Sequence, residues 1–132
     1  MTDRPMGFDT LAIHAATAPD PATGARQVPI YQTTAYVFRD ADHAAKLFNL
    51  QEIGYIYSRL TNPTVSALAN RVVALEGGAG GIACSSGHAA QIMALFPIMA
   101  PGRNIVASTK LYGGTIQQFS NTIRKFGWSA KF

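Results

Sequence analysis

The chain has 132 residues, 48% of them hydrophobic and 14% charged, enough for one ordinary domain with a core and unlike a disordered polypeptide. Eleven Lys and Arg against seven Asp and Glu give a net charge of +4, but the basic residues are scattered with no run or stripe, which argues against nucleic acid as a partner. A single cysteine, Cys84, excludes an internal disulfide and suits a reducing compartment; Met1–Pro5 is polar, and the longest apolar run, 92–100, is too short to cross a bilayer, so a cytoplasmic protein with no membrane partner is expected.

In chain order, a short helix is predicted over 9–15 with Leu11 and Ile13 inward, followed by a turn-rich loop over 17–25. Residues 28–38 are extended and apolar, with Pro29 unsuited to a central strand. Asp40 caps a helix over 41–50 whose inner face is Ala44, Leu47 and Phe48. So much apolar and aromatic surface on an arm, 1–62, with little secondary structure needs a cover, and an obligate oligomer is the natural inference, although its own chain could also serve. Asn62-Pro63 starts a helix that Gly77-Gly78 stops, with Val65, Leu68, Ala69, Val72 and Leu75 on one face. Strand 81–84, helix 87–100, strand 104–108, helix 113–126 and strand 128–132 follow, with Ile116, Phe119, Ile123 and Phe126 inward on the last helix. This alternation predicts an α/β fold with a mostly parallel sheet and flanking helices. A parallel strand needs a further crossover helix, so 63–132 reads as the beginning of an α/β domain in a longer protein. Cys84, in an apolar strand, reads as a buried, inert thiol.

Candidate chemistry lies at four places. Ser86-Gly87-His88 opens a helix after a strand, where unpaired amides and the helix dipole make a seat for phosphate or carboxylate; the stretch alone reads first as a plain capped helix with a tight turn. Tyr57 and Arg59 lie two residues apart, so in an extended segment both reach one phosphate; their spacing alone favours a surface arginine beside a packed tyrosine. Tyr112, before Gly113-Gly114, stands where a strand-end loop turns into a helix, and fits a ring-stacking aromatic and a capping aromatic equally. Gly78-Ala79-Gly80-Gly81-Ile82-Ala83 matches a dinucleotide fingerprint in letters but follows a helix and leads into a strand, so it is a connector. His14, His43 and His88 have no metal-ligand spacing.

Tyr57-Ser58-Arg59 with Asn62-Pro63-Thr64, then Ser86-Gly87-His88-Ala89-Ala90, then Leu111-Tyr112-Gly113-Gly114-Thr115 resemble, in order and spacing, the N-terminal third of the Cys/Met-metabolism family of pyridoxal-phosphate enzymes. Gly7-Phe8-Asp9-Thr10, Val28-Pro29-Ile30-Tyr31-Gln32-Thr33-Thr34 and Asp42-His43-Ala44-Ala45 look like its O-acetylhomoserine sulfhydrylase branch. The resemblance implies the large-domain fold of these transferases, pyridoxal 5'-phosphate as cofactor, and a homotetramer built as a dimer of dimers. It implies that Tyr57 and Arg59 bind the phosphate in the neighbouring subunit's site, through which the arm contacts that subunit. Ser86 and the amides of Gly87 and His88 would hold the phosphate of their own subunit. Tyr112 would stack on the pyridine ring and assist proton transfer or departure of the leaving group. The implied reaction is γ-replacement, in which sulfide or methanethiol and O-acetylhomoserine give homocysteine or methionine and acetate. Cystathionine γ-synthase and methionine γ-lyase share these motifs; Gly114, where the lyases typically carry cysteine, counts against the lyase. Another class of reading is a short, non-catalytic chain that binds full-length subunits. Lys110 precedes the ring-stacking tyrosine and is not taken as the Schiff-base lysine, which is expected outside this chain; the fragment alone is expected to be inactive.

Overall fold

The computed structural model describes residues 6–132; Met1–Pro5, read above for its lack of a secretory pattern, lies outside them. The elements are α1 (Phe8–His14), α2 (Ala41–Phe48), α3 (Pro63–Glu76), α4 (Gly87–Leu95), β1 (Asn104–Val106), α5 (Gly113–Ser120), a 3-10 helix (Thr122–Phe126) and β2 (Ser129–Lys131). They gather into two compact units, one ending at Ala83 and the other spanning Cys84–Phe132. Among the described residues no helix is long and apolar enough to cross a membrane.

In the first unit, the extended arm is fastened to the start of α3 by Asn62 and Thr64. The Asn62 side chain is buried and serves two jobs at once. Its Oδ1 accepts from the amides of Thr64 (2.9 Å) and Val65 (3.5 Å), capping the helix ahead of Pro63. Its Nδ2 donates to the Tyr31 carbonyl (2.9 Å), Ser58 Oγ (3.0 Å) and Tyr36 Oη (3.2 Å). Thr64 Oγ1 accepts from the Tyr31 amide at 2.9 Å and donates to the Pro29 carbonyl at 3.0 Å. The arm thus satisfies backbone groups that no sheet ladder would pair. Arg71 of α3 does the same for the end of α1, donating from Nε to the Ala15 carbonyl (3.3 Å) and from Nη2 to Thr17 Oγ1 (3.2 Å).

That anchoring changes which side chains point inward. Ala15, just past α1, is buried, whereas Ile13 is 60% exposed, contrary to the predicted inner face. A two-turn helix held at its C-terminal end has little apolar stripe to bury. In α2 the Asp40 carboxylate caps the helix by accepting from the His43 amide at 2.7 Å, as expected, and Leu47 is buried. A Cβ at Gly54 would lie 2.8 Å from Leu47 Cδ2, so any other residue there would push the buried Leu47 side chain aside. Phe48 is 65% exposed, against expectation; it meets Phe38 edge-on but lies off the side of the helix that Leu47 occupies. On α3 the predicted face forms, and Gly77 closes the helix in the left-handed region at φ 64°, yet Val65, Leu68 and Val72 stay exposed within the described residues.

In the second unit β1 and β2 pair in parallel, with Ile105 opposite Ala130. The predicted strand 81–84 makes no ladder, because among the described residues only β1 and β2 pair as a sheet and a strand exists only with a neighbour. In consequence Cys84 is exposed rather than buried. α4 stops at Leu95, earlier than predicted, because Pro97 offers no amide and crowds the preceding turn. The helix predicted to Phe126 breaks at Asn121 into a 3-10 turn, the Asn121 backbone leaving the helical region at φ −122° and ψ −54°. The tighter turn drives Ile123 into the core with Phe119 and Trp128, against Ile92, Leu95 and Ile105. Ile116 is half-buried, and Phe126 stays partly exposed beside Phe96 and Trp128.

Replacing Asn62 by Ala removes a cap and strands the Tyr31 carbonyl, so a loss of about 2–4 kcal/mol is expected. Asn62→Asp keeps the cap but sets a carboxylate against that carbonyl, and should recover less than half of the loss. Urea unfolding of the purified protein measures both; equal stability of Asn62→Asp and wild type would remove the donor side of Asn62 from the account.

Candidate functional site

The site begins with how α4 starts. Ser86 has extended backbone, φ −161° and ψ 158°, and its Oγ accepts from the Ala89 amide at 3.1 Å. With that cap in place, the Gly87 and His88 amides have no acceptor among the described residues. The first turn carries no acidic side chain, and a Cβ at Gly87 would meet nothing within 4 Å. Two amides at the positive end of a helix, with open space before them, suit an anion.

Tyr112 stands at the start of α5. Its carbonyl accepts from Thr115 (2.9 Å) and Ile116 (3.1 Å), but its side chain makes no cap bond and the residue is 77% exposed. The backbone caps the helix and leaves the ring free. Two side-chain bonds join α4 and α5, each from the second turn of one helix to the first turn of the other. Gln118, buried, donates from Nε2 to the His88 carbonyl at 3.0 Å, and Gln91 donates from Nε2 to Thr115 Oγ1 at 2.9 Å. The result is an open depression of about 340 Å³ lined by Ser86, Gly87, His88, Gln91, Tyr112 and Thr115.

Four of the residues singled out from sequence, Ser86, Gly87, His88 and Tyr112, therefore share one depression. Gln91 and Thr115 line it as well and escaped the sequence reading. The signal for both was helical spacing: Gln91 follows His88, and Thr115 follows Tyr112, by three positions. Gln118 had no such signal, since its role is to hold a backbone carbonyl. The Oε1 atoms of Gln91 and Gln118 are buried with no partner among the described residues.

Tyr57 and Arg59 belong to the first unit. Their segment is not extended as predicted: Tyr57 bridges Ala35, and the chain then turns, the Tyr57 carbonyl accepting from Leu60 (2.9 Å) and Thr61 (3.1 Å). The two side chains still come together, the Arg59 guanidinium 5.3 Å from the Tyr57 ring centroid, and Arg59 is exposed. His14 bonds Arg26, and His43 accepts from the Arg39 amide and lies 3.5 Å from Glu52. Among the described residues no cluster of His, Cys, Asp or Glu could hold a metal.

These residues fit a phosphorylated, planar cofactor: amides and a hydroxyl for the anion and an aromatic face beside it. The chain is similar to known proteins over nearly its full length. It is 52% identical over 127 residues to O-acetyl-L-homoserine sulfhydrylase 1 of Thermus thermophilus, covering 96% of this chain and 30% of that protein. It is 53% identical over 125 residues to homocysteine synthase of Schizosaccharomyces pombe, covering 95% of this chain and 29% of that protein. A crystal structure from Campylobacter jejuni, assigned as an O-acetylhomoserine (thiol)-lyase and containing a pyridoxyl-lysine monophosphate, superposes with TM-score 0.90 at 46% identity, over 96% of this chain and 31% of its own. The chain thus spans about 30% of the length of these relatives, and its mixture of helices and parallel strands is theirs. The family of Cys/Met metabolism PLP-dependent enzymes matches residues 9–132, and the chain belongs to it.

Proposed function

We propose that this chain is the N-terminal segment of an O-acetylhomoserine sulfhydrylase, a cytoplasmic, homotetrameric transferase that joins sulfide to O-acetylhomoserine and releases acetate. The observation that carries the proposal is the depression where the free amides of α4 and the free ring of Tyr112 face one ligand-sized space. Relatives whose names state this chemistry support it.

When bound, pyridoxal phosphate supplies an electron sink for the charge left when the substrate loses a proton. The residues of this chain hold and orient it. Ser86, Gly87 and His88 would bind its phosphate through the end of α4, and Tyr112 would lie against its pyridine ring. The phenol of Tyr112 can hold or move a proton beside that ring, where acetate departs and the thiol adds. None of the residues lining the depression is a lysine or arginine. A phosphate dianion out of water calls for a fixed cation, and Arg59, paired with Tyr57 on the first unit, is the group we assign to it. It would act in a neighbouring subunit's site, which makes the homo-oligomer a condition of binding. The lysine that bonds the cofactor is expected outside residues 1–132.

Two experiments test this reading. The native protein should show an intact mass larger than 14.1 kDa and cofactor absorbance in the visible, and should release acetate from O-acetylhomoserine only when sulfide is present. Acetate released with cysteine in place of sulfide would favour a cystathionine γ-synthase, and release of methanethiol from methionine a methionine γ-lyase. A lone 14.1 kDa chain without cofactor absorbance would end the catalytic reading and leave a non-catalytic binding subunit. In the second, Arg59→Ala should weaken pyridoxal phosphate about tenfold to hundredfold, the worth of one charged hydrogen bond. Arg59→Lys should recover only part, since the guanidinium fork is lost. Equilibrium dialysis measures both, and unchanged affinity in Arg59→Ala would remove Arg59 from the phosphate site.

A further inference from the structure

Between Tyr112 and Thr115, two residues that line the depression, stands a glycine whose missing side chain is already replaced. A Cβ built on Gly114 would lie 2.7 Å from His88 Cε1, 2.8 Å from His88 Nε2 and 2.7 Å from Tyr112 Cε1. Real Cβ atoms do not approach heavy atoms so closely, so both rings occupy the space that any other residue at 114 would need. The His88 and Tyr112 ring centroids are 6.0 Å apart with 31° between planes. Neither ring is placed by chance of a free helix end. The buried Gln118 amide fixes the His88 carbonyl at 3.0 Å, and the Gln91–Thr115 bond at 2.9 Å fixes the helix turns from which the rings project.

We infer that His88 and Gly114 together position Tyr112: the imidazole fills the slot over Gly114 and forms one wall of the place where the Tyr112 ring rests. His88 thereby acts twice, its amide at the anion seat and its side chain as a buttress for the aromatic. It is a positioning residue, acting through Tyr112 rather than on the reacting atoms. The value of this arrangement rests on the function proposed above, in which the Tyr112 ring must lie flat on the cofactor; the interlock itself is a property of three residues of this chain. It also gives a physical reason for glycine at 114, at a helix position where glycine is otherwise unfavourable by comparison with alanine.

The test is a double-mutant cycle in the native full-length protein, read in two ways. With tyrosine rings labelled with carbon-13, the Tyr112 resonance (assigned by its loss in Tyr112→Phe) is compared in wild type, His88→Ala, Gly114→Ala and the double variant, without added cofactor. His88→Ala and Gly114→Ala should each move that resonance. Adding Gly114→Ala to His88→Ala should move it much less than adding it to wild type, because the methyl group then enters vacated space. His88→Gln, a flat side chain of similar reach, should return the resonance toward wild type. In the cofactor-loaded enzyme, His88→Ala should lower kcat about tenfold with KM nearly unchanged, as for a misplaced group, and should weaken the visible circular dichroism of the bound cofactor. Equal, additive shifts from the two substitutions would overturn the interlock. So would a Tyr112 resonance unmoved in His88→Ala. If Gly114→Ala does not fold, His88→Ala and His88→Gln decide the matter by themselves. Wild type that binds no pyridoxal phosphate would overturn the proposed function while the cofactor-free spectra still decide the interlock.

Discussion

The candidate site depends on one hydrogen bond more than on any other, that from buried Gln118 to the His88 carbonyl. A helix start is a useful anion seat only if it is held still, and α4 reaches the core through Ile92 and Leu95, beyond its first turn. Gln118 lies next to Phe119, whose ring joins Ile123 and Trp128 in the apolar cluster. The bond therefore transmits the rigidity of that cluster to the first turn of α4. Burying an amide is costly unless it is paired, and this contact satisfies the Gln118 nitrogen, while its Oε1 is buried with no partner among the described residues. Gln91 and Thr115 repeat the device on the open side of the helices, and the amides of Gly87 and His88 end up facing the same space as the Tyr112 ring.

In the first unit Asn62 has the corresponding place. An arm of extended chain has donors and acceptors with no ladder to pair them. One amide side chain that caps α3 with its oxygen and binds Tyr31, Tyr36 and Ser58 with its nitrogen answers several of those needs together. Tyr57 and Arg59 follow in the turn just before it, so the geometry of the cation proposed for the phosphate is tied to the same node.

Much apolar surface stays uncovered. Val65, Leu68 and Val72 form the expected stripe of α3 yet are exposed, as are Met93 and Phe96 around α4. A two-stranded parallel pair is also less than such strands normally require. Relatives of this chain are more than three times as long over the same fold. In those proteins there is chain enough to cover faces that 132 residues cannot.

From the sequence alone one could read the helix starts and the stop of α3, because they rest on local chemistry: Asp40, Asn62-Pro63 and Ser86 cap, and Gly77 closes, whatever surrounds them; the ends of α2, α4 and α5 fell short of the predicted ones. The parallel relation of 104–106 and 129–131 was legible from alternation of strand and helix. The anion seat and the free aromatic were legible as motifs, with the turn residues that create them. Tertiary structure decided the rest. Apolar periodicity marks a face but not whether anything lies against it, so the inward assignments of Ile13 and Phe48 and the burial of Cys84 did not hold. A strand is a property of two segments, so 81–84 could not be judged from its own residues. The roles of Gln118 and Gly114 depend on groups about thirty residues away in sequence, on another helix. Only packing brings a side-chain amide to a distant carbonyl, or two rings into the space above a glycine.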